Sequence, residues 1–163
     1  MNIVEVARTQ LGVHEATGRN DGIPAERYMR GDKLAWCAGF VLYCIDRSSS
    51  AHKASFSLHP VYYACRAVSG FVEVAKTLGL YRPRDGYTPK PGDVIFFANA
   101  TSDVGRPGNH VGIVEDVDVH QGDGKGERVH TIEGNTSNKV ARRDYAVDDT
   151  RILGYCCMQE PTE

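Results

Sequence analysis

The apolar positions change period about halfway along the chain. Ile3, Val6, Ala7 and Leu11 recur at helical spacing, and Gly12 ends the run. Asn2 is placed to cap that helix, and Glu5, three residues on, can return the bond as a capping box. Residues 14–22 are polar and turn-rich. Pro24 suits the first turn of a short helix over residues 25–30, because a first turn leaves its N–H groups without helical partners and proline has none to offer. A third helix is predicted from near Trp36 through Phe40, Val41 and Cys44 to about Asp46. Residues 48–50 are all serine and read as a loop. Residues 60–80 read as helix in two pieces, broken near Ser69 and Gly70.

Beyond Pro91 and Gly92 the pattern turns to short runs of β-formers. Strands are predicted over residues 93–98, 110–119, 128–133, 140–145 and 152–157. Helices fill the first half and strands the second, which defines an α+β fold: N-terminal helices packed on a mostly antiparallel sheet of about five to six strands. The 163 residues fit one domain, with no linker, repeat or low-complexity segment, and they suffice for a core without disulfide or metal staples.

Composition narrows the function. A formal charge of −2 argues against a phosphate-neutralising surface, so nucleic acid is not the expected partner. No apolar run reaches the length of a membrane span. The start, Met1-Asn-Ile-Val-Glu5, lacks the basic residues and apolar stretch of a signal peptide, so the expectation is synthesis in the cytoplasm with another route for any work outside it. The five cysteines are Cys37, Cys44, Cys65, Cys156 and Cys157. An odd number with no CxxC pair points away from a disulfide framework or a zinc ribbon, and leaves a nucleophile to be considered.

Cys37 has the best position. It falls at the predicted start of the third helix, where unpaired N–H groups and the helix dipole favour a thiolate. The same N–H groups can hold an oxyanion as a carbonyl becomes tetrahedral. Ala35, Ala38 and Gly39 are small and would let a substrate backbone approach. The alternative is a buried structural cysteine, the commoner fate of a free thiol. Cys44, Cys65, Cys156 and Cys157 lie inside apolar patterns and fit it.

His110 has companions across a predicted hairpin. The segment Asn109-His-Val-Gly-Ile-Val114 and the segment Val129-His-Thr-Ile-Glu-Gly-Asn135 are joined by the glycine-rich residues 121–126. A hairpin centred near Gly122 and Asp123 sets Ile113 opposite Ile132 and His110 opposite Asn135. Strand side chains alternate, so His110, Glu133 and Asn135 share one face while Val111, Ile113 and Ile132 share the core face. Glu133 or Asn135 can then fix the tautomer of His110, which takes the proton of Cys37. A surface histidine at a strand edge is the alternative for His110 alone. His14, His52, His59 and His120 fall in predicted loops, and His130 on the other face.

Four blocks in this order, Ala35-Trp-Cys-Ala-Gly-Phe-Val41, Gly92-Asp-Val-Ile-Phe-Phe97, Asn109-His-Val-Gly-Ile-Val114 and Thr131-Ile-Glu-Gly-Asn-Thr136, resemble the CHAP family of cysteine, histidine-dependent amidohydrolases/peptidases. The resemblance runs over roughly residues 1–157 and implies a papain-like fold related to NlpC-type peptidoglycan hydrolases. It implies cleavage of an amide bond in the peptide part of bacterial peptidoglycan, either N-acetylmuramoyl–L-alanine or a bond within the stem or cross-bridge. It carries the nucleophile to Cys37, the base to His110, the third polar position to Glu133 and a fourth to Asn135. Trp36, Tyr28 and Asn109 are expected to contact substrate.

Some family members bind calcium through an acidic loop before the cysteine. Here that stretch holds only Asp32 as an acid, so neither a calcium site nor any other metal or cofactor is expected. The chain leaves no room for a wall-binding module and reads as a bare catalytic domain. The setting expected is a phage endolysin, or a secreted antibacterial effector that would need an immunity protein as partner. The competing readings are a cysteine peptidase or transamidase acting on protein, and a non-catalytic wall-binding phage structural module. The acidic run from Asp116 to Glu127 has Gln121 where a calcium loop needs glycine and reads as a hairpin loop. Arg142 and Arg143 read as a solvated strand face with some reach toward substrate carboxylates.

Overall fold

The computed structural model describes residues 1–32, 34–101, 107–118 and 127–160, with the side chains of 99–101 and 107–109 left out of the description. The helices are α1 (Ile3–Thr9), α2 (Ile23–Tyr28), α3 (Cys37–Asp46), α4 (Lys53–Ser57), α5 (Val61–Cys65) and α6 (Val68–Thr77). The strands are β1 (Tyr81–Pro83), β2 (Val94–Thr101), β3 (Pro107–Asp118), β4 (Arg128–Thr136), β5 (Lys139–Ala146) and β6 (Ile152–Cys156). The strands form one six-stranded sheet in the order β1-β6-β2-β3-β4-β5, with every pair antiparallel. The architecture is the α+β arrangement expected.

Local chemistry explains the helix starts. Asn2 accepts the Glu5 N–H at 2.9 Å and the Glu5 carboxylate accepts the Asn2 N–H at 2.7 Å, a complete capping box. Pro24 sits in the first turn of α2. In the 60–80 region the break falls at Arg66 and Ala67, not at Ser69 and Gly70, which lie in the first turn of α6. Gly70 is there because α6 closes on α5: a Cβ at this position would lie 2.1 Å from the Ala64 carbonyl oxygen. Helix α4 and strand β1 lie outside the elements that the spacing predicts.

Helix α3 is apolar on nearly every side, the mark of a buried helix. Ala38, Gly39, Phe40, Val41, Leu42, Cys44 and Ile45 are all buried. The helix packs against α1, α2, α4 and α5 and against strands β3 and β4. The start of α3 is thus set from several directions. The larger core lies between these helices and one sheet face, to which Val111, Ile113 and Ile132 contribute. The other face carries a smaller core of Ile95, Phe97, Val114, Val129, Ile152 and Tyr155, with Tyr87 and Tyr145 packed against it. Ile113 pairs with Ile132, the register expected, and a bulge between Val114 and Asp116 shifts the rest of the β3–β4 ladder by one residue.

Candidate active site

Cys37 is the first residue of α3, behind Trp36 at the N-cap, and no side chain caps the helix. His110 lies on β3 opposite Phe97 of β2. Glu133 lies on β4, on the same sheet face as His110. The structure brings these three together in series. His110 Nε2 is 2.8 Å from Glu133 Oε1, and the Cys37 thiol lies close enough to the ring to raise its proton affinity. Because Nε2 serves Glu133, Nδ1 is the ring nitrogen left for the sulfur.

Glu133 is only 1% exposed. A carboxylate so placed needs partners on both oxygens. Oε1 faces His110, and Oε2 accepts from the Thr131 hydroxyl at 2.5 Å and the Tyr145 hydroxyl at 2.8 Å. Gly112 makes room for it: a Cβ there would lie 2.6 Å from Glu133 Cγ. The ring of His110 also lies along Phe97, with centroids 5.9 Å apart and planes 30° apart.

Burial works against a charge on His110. Hydrogen bonds to Cys37 and Glu133, together with the charges of both, outweigh it and raise the ring from 6.5 to about 10. The site therefore favours a protonated imidazole beside the sulfur. Burial alone raises Cys44 and Cys65, the latter to about 12, and burial is the largest cause at Cys156, where Asp93 adds to it. These three are therefore poor nucleophiles. Cys157 is half-buried, and all five thiols are free.

The remaining expected site residues fall differently. Asn135 does not pair with His110 in the ladder. Strand β4 is irregular between Glu133 and Thr136, and Asn135 has a left-handed backbone with φ 55°. The straight register that set Asn135 opposite His110 therefore does not extend that far, and the bond to the ring comes from Glu133.

Trp36 and Tyr28 are not cleft walls. They are 0% and 2% exposed and stack on each other at 5.4 Å within the core. The Trp36 indole N–H donates to Glu15 Oε1 at 2.7 Å, and Glu15 Oε2 accepts the Asn20 N–H at 3.0 Å. Glu15 thus ties the 14–22 loop to the residue before Cys37. Nothing in its polar run distinguishes it from a solvated loop carboxylate.

Gly39, expected to admit a substrate backbone, instead admits the chain behind it. A Cβ there would lie 2.6 Å from the Tyr28 carbonyl oxygen and 2.3 Å from Met29 Sδ. The Asn109 side chain and His120 lie outside the described residues. Asp32 is ion-paired with Arg66. Arg142 grips Glu115 through two hydrogen bonds and Arg143 bonds Thr136 and Ser137, so both have partners within the protein.

The chain belongs to the CHAP family: the model of the CHAP domain matches residues 29–135, more than half of the chain, and the match contains Cys37, His110 and Glu133. Membership makes the protein a hydrolase of the amidase/peptidase kind, directed at peptidoglycan. No curated protein and no solved structure matches the chain.

Proposed function

We propose that the protein cleaves an amide bond in the peptide part of bacterial peptidoglycan by covalent catalysis, with Cys37 as nucleophile, His110 as acid and base, and Glu133 as orienter. The observation that carries this reading is the meeting of three side chains: His110 is bonded to a buried, fully satisfied Glu133 and lies beside the Cys37 thiol.

In the first half-reaction the Cys37 sulfur attacks the scissile carbonyl, and N–H groups at the start of α3 receive the developing oxyanion. The tetrahedral intermediate collapses as His110 gives its proton to the leaving amine nitrogen, and the acyl group stays on sulfur as a thioester. His110, now neutral, takes a proton from water as that water attacks the thioester. Carboxylate and thiol are released, and the proton returns to the Cys37–His110 pair. Glu133 holds Nε2–H throughout and offsets the imidazolium charge.

The biological setting follows as part of the proposal. The enzyme reaches the wall either as a phage lysin released by a membrane pore or as an antibacterial effector moved by a secretion machine. An effector would be made together with an immunity protein, so the neighbouring gene separates the two. Assays of purified peptidoglycan and of casein test the substrate. Turnover of peptidoglycan alone is expected, and turnover of casein alone would replace this reading with a protein-directed cysteine peptidase.

A further inference from the structure

Tyr145 lies on β5, beyond residue 135 where the family match ends. It touches the site by two routes. Its hydroxyl donates to Glu133 Oε2 at 2.8 Å. Its ring packs on Phe97 with centroids 4.7 Å apart, and Phe97 in turn lies along the His110 ring. Phe97, His110, Glu133 and Tyr145 therefore form a closed circuit, with one residue from each of the four consecutive strands β2, β3, β4 and β5.

We propose that Tyr145 is a positioning residue for the Cys37–His110 pair, acting on the edge of the imidazole through Glu133 and on its face through Phe97. This rests on the reading of Cys37, His110 and Glu133 as the reacting set. A carboxylate has two equivalent oxygens, and a buried one with a single donor can turn to present either. Two hydroxyl donors on Oε2 remove that freedom and reserve Oε1 for His110. Thr131 supplies the first, from β4 itself, and Tyr145 supplies the second from the neighbouring strand. The Phe97 stack stops the imidazole from swinging about its bond to Glu133, so Nδ1 keeps its aim at the sulfur. Burial, with the charge of Glu133, raises the Tyr145 hydroxyl above its ordinary value, so it remains a donor across the working pH range.

Among the described residues, few charged or titratable groups surround this circuit. Cys37 faces it from α3. On β5, Arg143 is held by Thr136 and Ser137. Arg151 lies over the Tyr145 ring at 5.4 Å and is bound to Asp149. Replacing Tyr145 by phenylalanine keeps the ring and its Phe97 contact and removes only the donor to Glu133. With that donor gone the carboxylate can turn, and its bond to the His110 ring, one of the causes that raise the ring, is loosened. The acid limb of any rate that depends on the Cys37–His110–Glu133 set therefore moves to higher pH.

The test is the rate at which iodoacetamide alkylates Cys37 as a function of pH, read by peptide mass spectrometry so that half-buried Cys157 is counted separately. It is run on the wild type, Tyr145→Phe, Tyr145→Leu and Thr131→Val, with melting temperature and peptidoglycan turnover measured on the same samples. Tyr145→Phe is expected to move the acid limb up by about one pH unit. It should also lower kcat about tenfold, with KM within about twofold. Tyr145→Leu, which also loses the stack, should do more. A lower melting temperature with a superimposable Cys37 profile would overturn the proposal by reducing Tyr145 to a packing residue. If Tyr145→Phe does not fold, Thr131→Val must give the same upward shift, and an unshifted profile there overturns the proposal equally. Alkylation needs no substrate. A profile shifted in Tyr145→Phe, when even the wild type turns over no peptidoglycan, therefore supports the positioning role while refuting the proposed substrate.

Discussion

His110 Nε2 and Glu133 Oε1 lie 2.8 Å apart, and the carboxylate that makes this contact is 1% exposed. The pairing spans two adjacent strands and places a buried negative charge behind the base. A proton on the ring is thereby favoured before any substrate arrives. Glu133→Gln keeps the volume and removes the charge. It should lower kcat by about 10²–10⁴-fold, with KM much less affected, since the loss falls on proton transfer and ring orientation. Steady-state kinetics on a soluble muropeptide check this. An unchanged kcat would remove Glu133 from the mechanism.

The raised His110 fixes a pH dependence. Its folded value, about 10, lies above the ordinary 6.5 that applies when the chain unfolds. The stability that the protonated ring contributes is therefore complete below about pH 6.5 and is lost as pH rises through about 10. Turnover should fall over the same alkaline range, because a neutral His110 cannot protonate the leaving amine. Imidazole titration by NMR checks the shift. In Cys37→Ala, which removes one of the partners that raise the ring, His110 should titrate at lower pH than in the wild type.

Gly112→Ala tests the space that Glu133 occupies. The added methyl would lie 2.6 Å from Glu133 Cγ, so the carboxylate side chain must move. The expected cost is about 1–3 kcal/mol of stability, with a loss of kcat in the fraction that remains folded. Chemical denaturation and kinetics on the same sample separate the two. Wild-type kcat in folded protein would show that the carboxylate has a second way to reach His110.

Trp36→Phe separates a core role from a substrate role. The variant keeps most of the packing against Tyr28 but leaves Glu15 Oε1 without its indole donor in a buried site. Stability should drop by about 1–3 kcal/mol, while KM stays near wild type. A raised KM with an unchanged melting temperature would return Trp36 to the cleft.

The sequence made the central elements legible because each rests on local rules. The capping box at Asn2 and Glu5, the apolar run of α3 behind Cys37, and the Ile113–Ile132 register all follow from spacing alone. The departures have physical reasons of a longer range. A straight ladder sets Asn135 opposite His110, but the β3–β4 pairs stop at Ile113–Ile132, and β4 also shifts its register with β5 between Glu133 and Thr136. An aromatic residue beside a nucleophile reads the same whether it turns in or out, so the burial of Trp36 and Tyr28 became visible only with Glu15 and α3 in place. Tyr145 alternates correctly along β5, yet its bond to Glu133 depends on how four strands pack together. Strand β1 is three residues ending in Pro83, too short to show a period.

The most direct test of the account is mass spectrometry of the fragments released from purified peptidoglycan by the wild type and by Cys37→Ala. The wild type should release muropeptides carrying one new amine and one new carboxylate at a single kind of amide bond. Cys37→Ala, folded to the same melting temperature, should release none. Equal release by Cys37→Ala, or no new fragment from any peptidoglycan type with the wild type, would contradict it.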